Sequence, residues 1–252
     1  VDASASVSKS FLGSVSPARS LVEHAKRLNT AYFNPPSSIR VEVYKTKSGR
    51  DLVVYVPGTQ SFEMGGKNPL NIRSNLTALG NIAKAPSQKG VELALEQLGA
   101  TKGDRVLFVG HSQGALIAGN ISAFEQDYEV AGLISLGGPI AHLDLDVPVL
   151  ALENAEDPVP HLSGERNPLA ENWVTAEATG HHESLVEAHG MEAYKETLSR
   201  FVYQTGILMR PVFNVAKAVA DSAKRVAYAD GEDERALRAA QMAIDDHLAK
   251  PI

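Results

Sequence analysis

The sequence predicts an α/β protein: a mostly parallel central sheet with helices on both faces. Three observations predict it. From residue 105 onward, apolar strand-like runs are separated by a helical stripe or long crossovers, the order that yields parallel strands. The run "DLVVYVPG" is continuously apolar instead of alternating, as a strand covered on both faces must be. The chain has 252 residues, 44% hydrophobic and 21% charged, which suits one large domain with an appendage.

Residues 1–15 are rich in Ser, Ala and Val and read as loosely ordered. Ser16-Pro17 reads as a helix N-cap with proline in the first turn, and Leu21, Ala25 and Leu28 give that helix an inward stripe. Asn34-Pro35-Pro36 ends it. "RVEVYKT" alternates, "KSGR" is turn-like, and "DLVVYVPG" follows, which together predict a hairpin with a deeply buried second strand. Residues 61–86 are loop-rich, with a short helix near Asn75 to Ile82. Ser87 reads as the cap of a helix carrying Val91, Leu95 and Leu98, closed by Gly99.

"RVLFVG" is the next strand, and Gln113 to Phe124 the next helix. "VAGLISLGG", "VPVLALEN" and "ENWVTAEA" complete the strands. From Pro211 the pattern is helical: Val212, Val215, Val219 and Val226 form a stripe. Gly231 precedes a second helix with Glu232, Asp233 and Glu234 in its first turn, where the helix dipole favours acids. The chain thus divides into an N-terminal segment and helix (1–36), an α/β core (37–205) and a helical C-terminal extension (206–252).

Composition narrows the function classes. The net charge is −6 and the pI about 5.8, with no basic stripe, so a nucleic-acid partner is not expected. The absence of cysteine rules out a disulfide, a thiolate nucleophile and a Cys-ligated metal. No apolar run approaches the ~18 residues of a membrane span. The first residues lack the basic start and apolar core of a signal peptide. The chain begins at Val and reads as processed or excised, which leaves an exported or cell-envelope location open.

The chemistry centres on Gly110-His111-Ser112-Gln113-Gly114. This G-x-S-x-G follows an apolar strand and opens a helix carrying Ala115, Leu116, Ala118 and Ile121. A serine on so sharp a turn is strained, and the glycines let backbones approach where a β-carbon would clash. The strain lifts the hydroxyl above the sheet, at a helix N-terminus whose amides stabilise an anion.

With its strand and helix, the motif resembles the α/β-hydrolase superfamily, in particular its lipase, esterase and cutinase branches. The resemblance covers residues 40 to 200, roughly. It implies the chain order nucleophile, acid, histidine, with Ser112 as nucleophile. "VPVLALENAEDPVP" is similar to the family's acid-bearing segment and puts Asp157 in the acid position, with Glu153 and Asp146 as substitutes. The physical case is parallel: a carboxylate beyond the carboxyl end of a parallel strand lies where sites form, and flanking prolines fix its loop. Three histidines follow the last strand: His181, His182 and His189. "AHGMEAY" resembles the histidine-then-tyrosine segment of several such hydrolases, which favours His189 as base and leaves His182 as the alternative. His111 reads as a spacer that lines the pocket, and His161 as a loop histidine near the site.

The strand ending in "PGTQ" resembles the place where the superfamily keeps half its oxyanion hole. The resemblance implies one amide from Gln113 and another from Thr59 or Gln60, with Gly58 letting the backbone swing in. Phe62 and Met64 would line an acyl pocket. The expected activity is cleavage of a small-molecule ester or lipid through an acyl-enzyme, with no metal or organic cofactor. Two rivals stand beside it. An acyltransferase or thioesterase would use the same residues. A non-catalytic hydrolase-fold binding module would use the C-terminal helices for a protein partner or self-association.

Overall fold

A computed structural model describes residues 16–33, 38–47, 49–58, 86–124 and 126–205. Within them, six strands form one sheet in chain order: β1 Arg40–Lys45, β2 Arg50–Val56, β3 Arg105–His111, β4 Glu129–Leu136, β5 Val149–Asn154 and β6 Trp173–Ala178. β1 and β2 are an antiparallel hairpin, and every later pairing is parallel. The molecule is therefore an α/β protein with a mostly parallel sheet.

Helices cover both faces. α1 (Leu21–Ala31) and α5 (Met191–Thr205) lie on one side, α2 (Pro86–Gln97) and α3 (Gln113–Ser122) on the other, and the single turn α4 (Leu185–Ala188) leads into α5. Strand alternation divides the core between them. Val53, Tyr55, Leu107, Val109, Ile134 and Leu136 face α1 and α5, while Leu52, Val54, Val56, Val106, Phe108 and Leu133 face α2 and α3. β2 and β3 are apolar at successive positions because neither face meets water. Each such side chain, fully buried, contributes roughly 1.5–3 kcal/mol.

Two helix starts differ from the sequence expectation. α1 is capped by Ser20, not Ser16: Ser20 Oγ accepts the Glu23 amide at 3.1 Å, and Glu23 accepts the Arg19 amide at 2.7 Å. Ser16 stays outside the helix, its carbonyl accepting from the Arg27 guanidinium at 2.9 Å. α2 begins at Pro86, ahead of Ser87, because proline lacks an amide hydrogen and loses nothing in a first turn. It closes as expected at Gly99, whose φ of 65° lets Ala100 bond back to Leu95 at 3.0 Å.

β1 carries its alternation in an unexpected sense: Glu42 is buried and Val43 is exposed. The cause lies across the layer on α1. Arg27 bonds Glu42 at 2.6 Å, Arg40 adds a second ion pair at 2.6 Å, and the phenols of Tyr44 and Tyr55 complete a buried polar cluster.

The predicted short helix near Asn75 to Ile82, the segment 1–15 and the two C-terminal helices lie outside the described residues. Among the described residues, no helix is long and apolar enough to cross a membrane.

Candidate active site

Ser112 stands alone between β3 and α3. Its φ of 54° and ψ of −126° make it the single non-glycine residue with positive φ among those described. The surroundings over-determine this conformation, as strain of this kind requires. The Ser112 amide donates to the Leu136 carbonyl at 3.0 Å, and its own carbonyl accepts from the Ala115 and Leu116 amides at 3.1 and 3.3 Å. The two flanking glycines serve close packing. A β-carbon on Gly110 would lie 2.5 Å from the Ala115 backbone, and one on Gly114 would lie 2.0 Å from the Val56 carbonyl oxygen. The helix can only start this near to β2 without side chains at both positions.

Asp157 follows β5 and is completely buried. The turn folds because its amide donates to the Asn154 carbonyl at 2.8 Å, while its Oδ1 accepts the Val159 amide at 2.9 Å. Oδ2 faces two donors, His189 Nδ1 at 2.6 Å and the Tyr194 hydroxyl at 2.5 Å. His189 is the C-cap of α4, past β6. With Nδ1 donating to the carboxylate, Nε2 is left as an acceptor, and the Ser112 hydroxyl lies 2.9 Å from it. Hydroxyl, imidazole and carboxylate thus form a continuous chain at the carboxyl edge of the parallel strands. That arrangement can draw a proton from the serine and stabilise the resulting imidazolium.

The segment carrying His189 is pinned through its backbone. Asn154 Nδ2 donates to the Ala188 carbonyl at 2.7 Å, and Thr197 fixes that amide by donating to Asn154 Oδ1 at 2.5 Å. His111 Nε2 donates to the His189 carbonyl at 2.9 Å. The Tyr32 hydroxyl lies 2.5 Å from His111 Nδ1, and the Gly58 amide donates to the Tyr32 oxygen at 2.6 Å. The ring centres of His111 and His189 lie 4.7 Å apart, with the planes tilted by 31°. Burial, with His189 adjacent, pushes His111 down to about 3, so it is neutral under ordinary conditions. Burial, then the negative charge of Asp157, pushes the Tyr194 phenol well up. Burial likewise raises the Tyr32 phenol.

The other sequence candidates fall as follows. Gly58 is buried at the end of β2, where an added β-carbon would lie 3.0 Å from Ser112 Cβ. Gln113 opens α3. Thr59, Gln60, Phe62 and Met64 lie outside the described residues. His111 is buried beneath His189, and both of its ring nitrogens have partners inside the fold. His182 lies in a groove with Val22, Lys26 and Glu187, and His181 and His161 are exposed. The substitute acid Glu153 accepts from Asn167 at 2.6 Å, and Asp146 lies in the loop before β5. Sequence reasoning missed Tyr32, Asn154 and Thr197. Their sole sequence signal is polarity inside otherwise inward-facing stretches.

No family model matches the chain. A stretch of 61 residues, 24% of this chain, is 51% identical to the NAD-dependent malic enzyme of Rhizobium meliloti. Matches of the same length are 44% and 43% identical to the NADP-dependent malic enzymes of Haemophilus influenzae and Salmonella typhimurium. The chain spans 8% of the length of these curated relatives. Among solved structures, a gene product of Listeria innocua aligns over 76% of this chain and 92% of its own, at 12% identity and a TM-score of 0.36.

Proposed function

We propose that the chain is a serine hydrolase that cleaves carboxylic esters, a lipase- or esterase-like relative of the α/β hydrolases. The observation that carries the reading is the Ser112–His189–Asp157 chain, with links of 2.9 and 2.6 Å, on a strained strand-to-helix turn.

In this mechanism His189 Nε2 takes the Ser112 proton as Oγ attacks the ester carbonyl. Asp157 holds Nδ1–H and balances the imidazolium charge. The oxyanion is received at the N-terminus of α3, by the Gln113 amide, with Thr59 or Gln60 supplying the second donor. Collapse of the tetrahedral intermediate breaks the ester C–O bond, and the alcohol leaves with the proton from His189. Water repeats the sequence on the acyl-enzyme, returning the proton to His189 and then to Ser112.

A fluorescent organophosphonate tests the reading directly. The folded wild type should label at one site, and Ser112→Ala and His189→Gln should not. Absence of label on folded wild type would overturn it.

A further inference from the structure

We propose that Tyr32 and His111 are positioning residues that lock the end of β2, the serine turn and the His189 loop into one unit. The inference rests on the hydrolase reading above. Its ground is a hydrogen-bond chain in which every donor has one direction. The His189 carbonyl can only accept, so His111 Nε2 must carry the hydrogen. The buried ring is neutral, which leaves Nδ1 as an acceptor, so the Tyr32 hydroxyl must donate to it. The phenol oxygen then takes the Gly58 amide. No member can reverse without leaving a buried polar atom unpaired, which is costly.

The chain joins four segments distant in sequence, Gly58 just past β2 being one of them. Tyr32 is the C-cap of α1, His111 is the last residue of β3, and His189 sits past β6. Asp157 holds the His189 ring at Nδ1, but only the single turn of α4 precedes the residue, so its backbone needs anchors of its own. Asn154 holds the carbonyl just before it and His111 holds its own. At the other end, Gly58 lies against Ser112 Cβ, so a shift at Tyr32 is felt on both sides of the reacting hydroxyl. A misplacement of about 1 Å can cost as much as a hundredfold in rate.

Two substitutions at one position separate hydrogen bonding from packing. His111→Gln puts an amide nitrogen near the Nε2 position and keeps the bond to the His189 carbonyl. His111→Phe fills the volume and keeps no bond. Hydrolysis of p-nitrophenyl acetate and phosphonate labelling would be measured for both, for Tyr32→Phe and for wild type. Tyr32→Phe should lower kcat about tenfold and His111→Phe about a hundredfold, with KM changed less than about twofold. His111→Gln should fall closer to wild type than His111→Phe. The opposite ranking at residue 111, or wild-type kcat in Tyr32→Phe, would overturn the proposal. If the residue-111 variants fail to fold, near-isosteric Tyr32→Phe decides alone. A wild type that does not label fails the hydrolase reading itself and takes this inference with it; a labelled wild type with unaffected Tyr32→Phe sinks this inference only.

Discussion

Tyr194 reaches Asp157 at the very oxygen that receives His189: its hydroxyl lies 2.5 Å from Oδ2, and both residues are buried. The carboxylate is thus aimed by three donors, the Val159 amide on Oδ1 and two side chains on Oδ2. Tyr194→Phe removes one donor and keeps the ring. We expect kcat to fall about tenfold with KM nearly constant, and stability to fall by about 1–3 kcal/mol, since a buried charge loses a partner. Steady-state kinetics and urea titration measure the two effects separately.

Gly114→Ala should disrupt both fold and site. The new methyl would meet the Val56 carbonyl oxygen at 2.0 Å, and backbone cannot yield cheaply there. Displacing the start of α3 moves the Ser112 turn with it. We expect a loss of stability above about 2 kcal/mol and loss of phosphonate labelling even in the remaining folded fraction. Full labelling at wild-type rate would contradict the close-approach argument.

Arg27→Met tests the polar cluster under β1. Arg27 bonds Glu42, Glu23 and the Ser16 carbonyl from a side chain only 10% exposed. Its removal leaves Glu42, whose side chain is 5% exposed, with Arg40 as its remaining cation. Breaking a buried pair from one side typically costs about 3–5 kcal/mol. The retained Arg40 contact should hold the loss near the lower figure, read as a shift in the urea midpoint.

Acid should destabilise the fold through two buried histidines. Burial lowers His24 to about 4, from the usual 6.5, and His111 to about 3. A histidine depressed in the folded state binds its proton preferentially when unfolded. Stability is therefore full above about pH 6.5 and is lost as pH falls toward 4 and 3. The combined loss is on the order of several kcal/mol. Denaturant midpoints between pH 7 and 4 measure it, and His24→Phe should flatten the upper part of the slope.

Local pattern made much of the architecture legible. The unbroken apolar stretches foretold strands covered on both sides, because strand periodicity leaves no position for a polar residue there. The glycine pair foretold a tight strand-to-helix turn at Ser112, since the steric demand is local. Helix starts were less legible: Ser16 and Ser20 offer the same capping oxygen, and only the Glu23 contact separates them. The alternation of RVEVYKT did not say which of its faces is buried, because Arg27, the partner of Glu42, lies 15 residues upstream on another layer. The supporting shell was hidden for the same reason. Tyr32 meets His111 across 79 residues, and Thr197 meets Asn154 across 43. Such partners are chosen by the tertiary fold, and in the sequence only their polarity within inward-facing stretches marks them.

The strands of the sheet lie side by side in the order in which they are synthesised. A chain emerging from the ribosome can add each parallel strand to the one before it, with no earlier strand waiting for a later one to be inserted. Ser112 is therefore made long before the residue proposed as its base, for His189 follows 77 residues later and is backed by α5. A nascent chain would carry an inert hydroxyl until nearly the last of these elements is in place. On the proposed reading, acylation would begin only once α5 has docked, because α5 brings Tyr194 to Asp157 and closes the face of the sheet that it shares with α1.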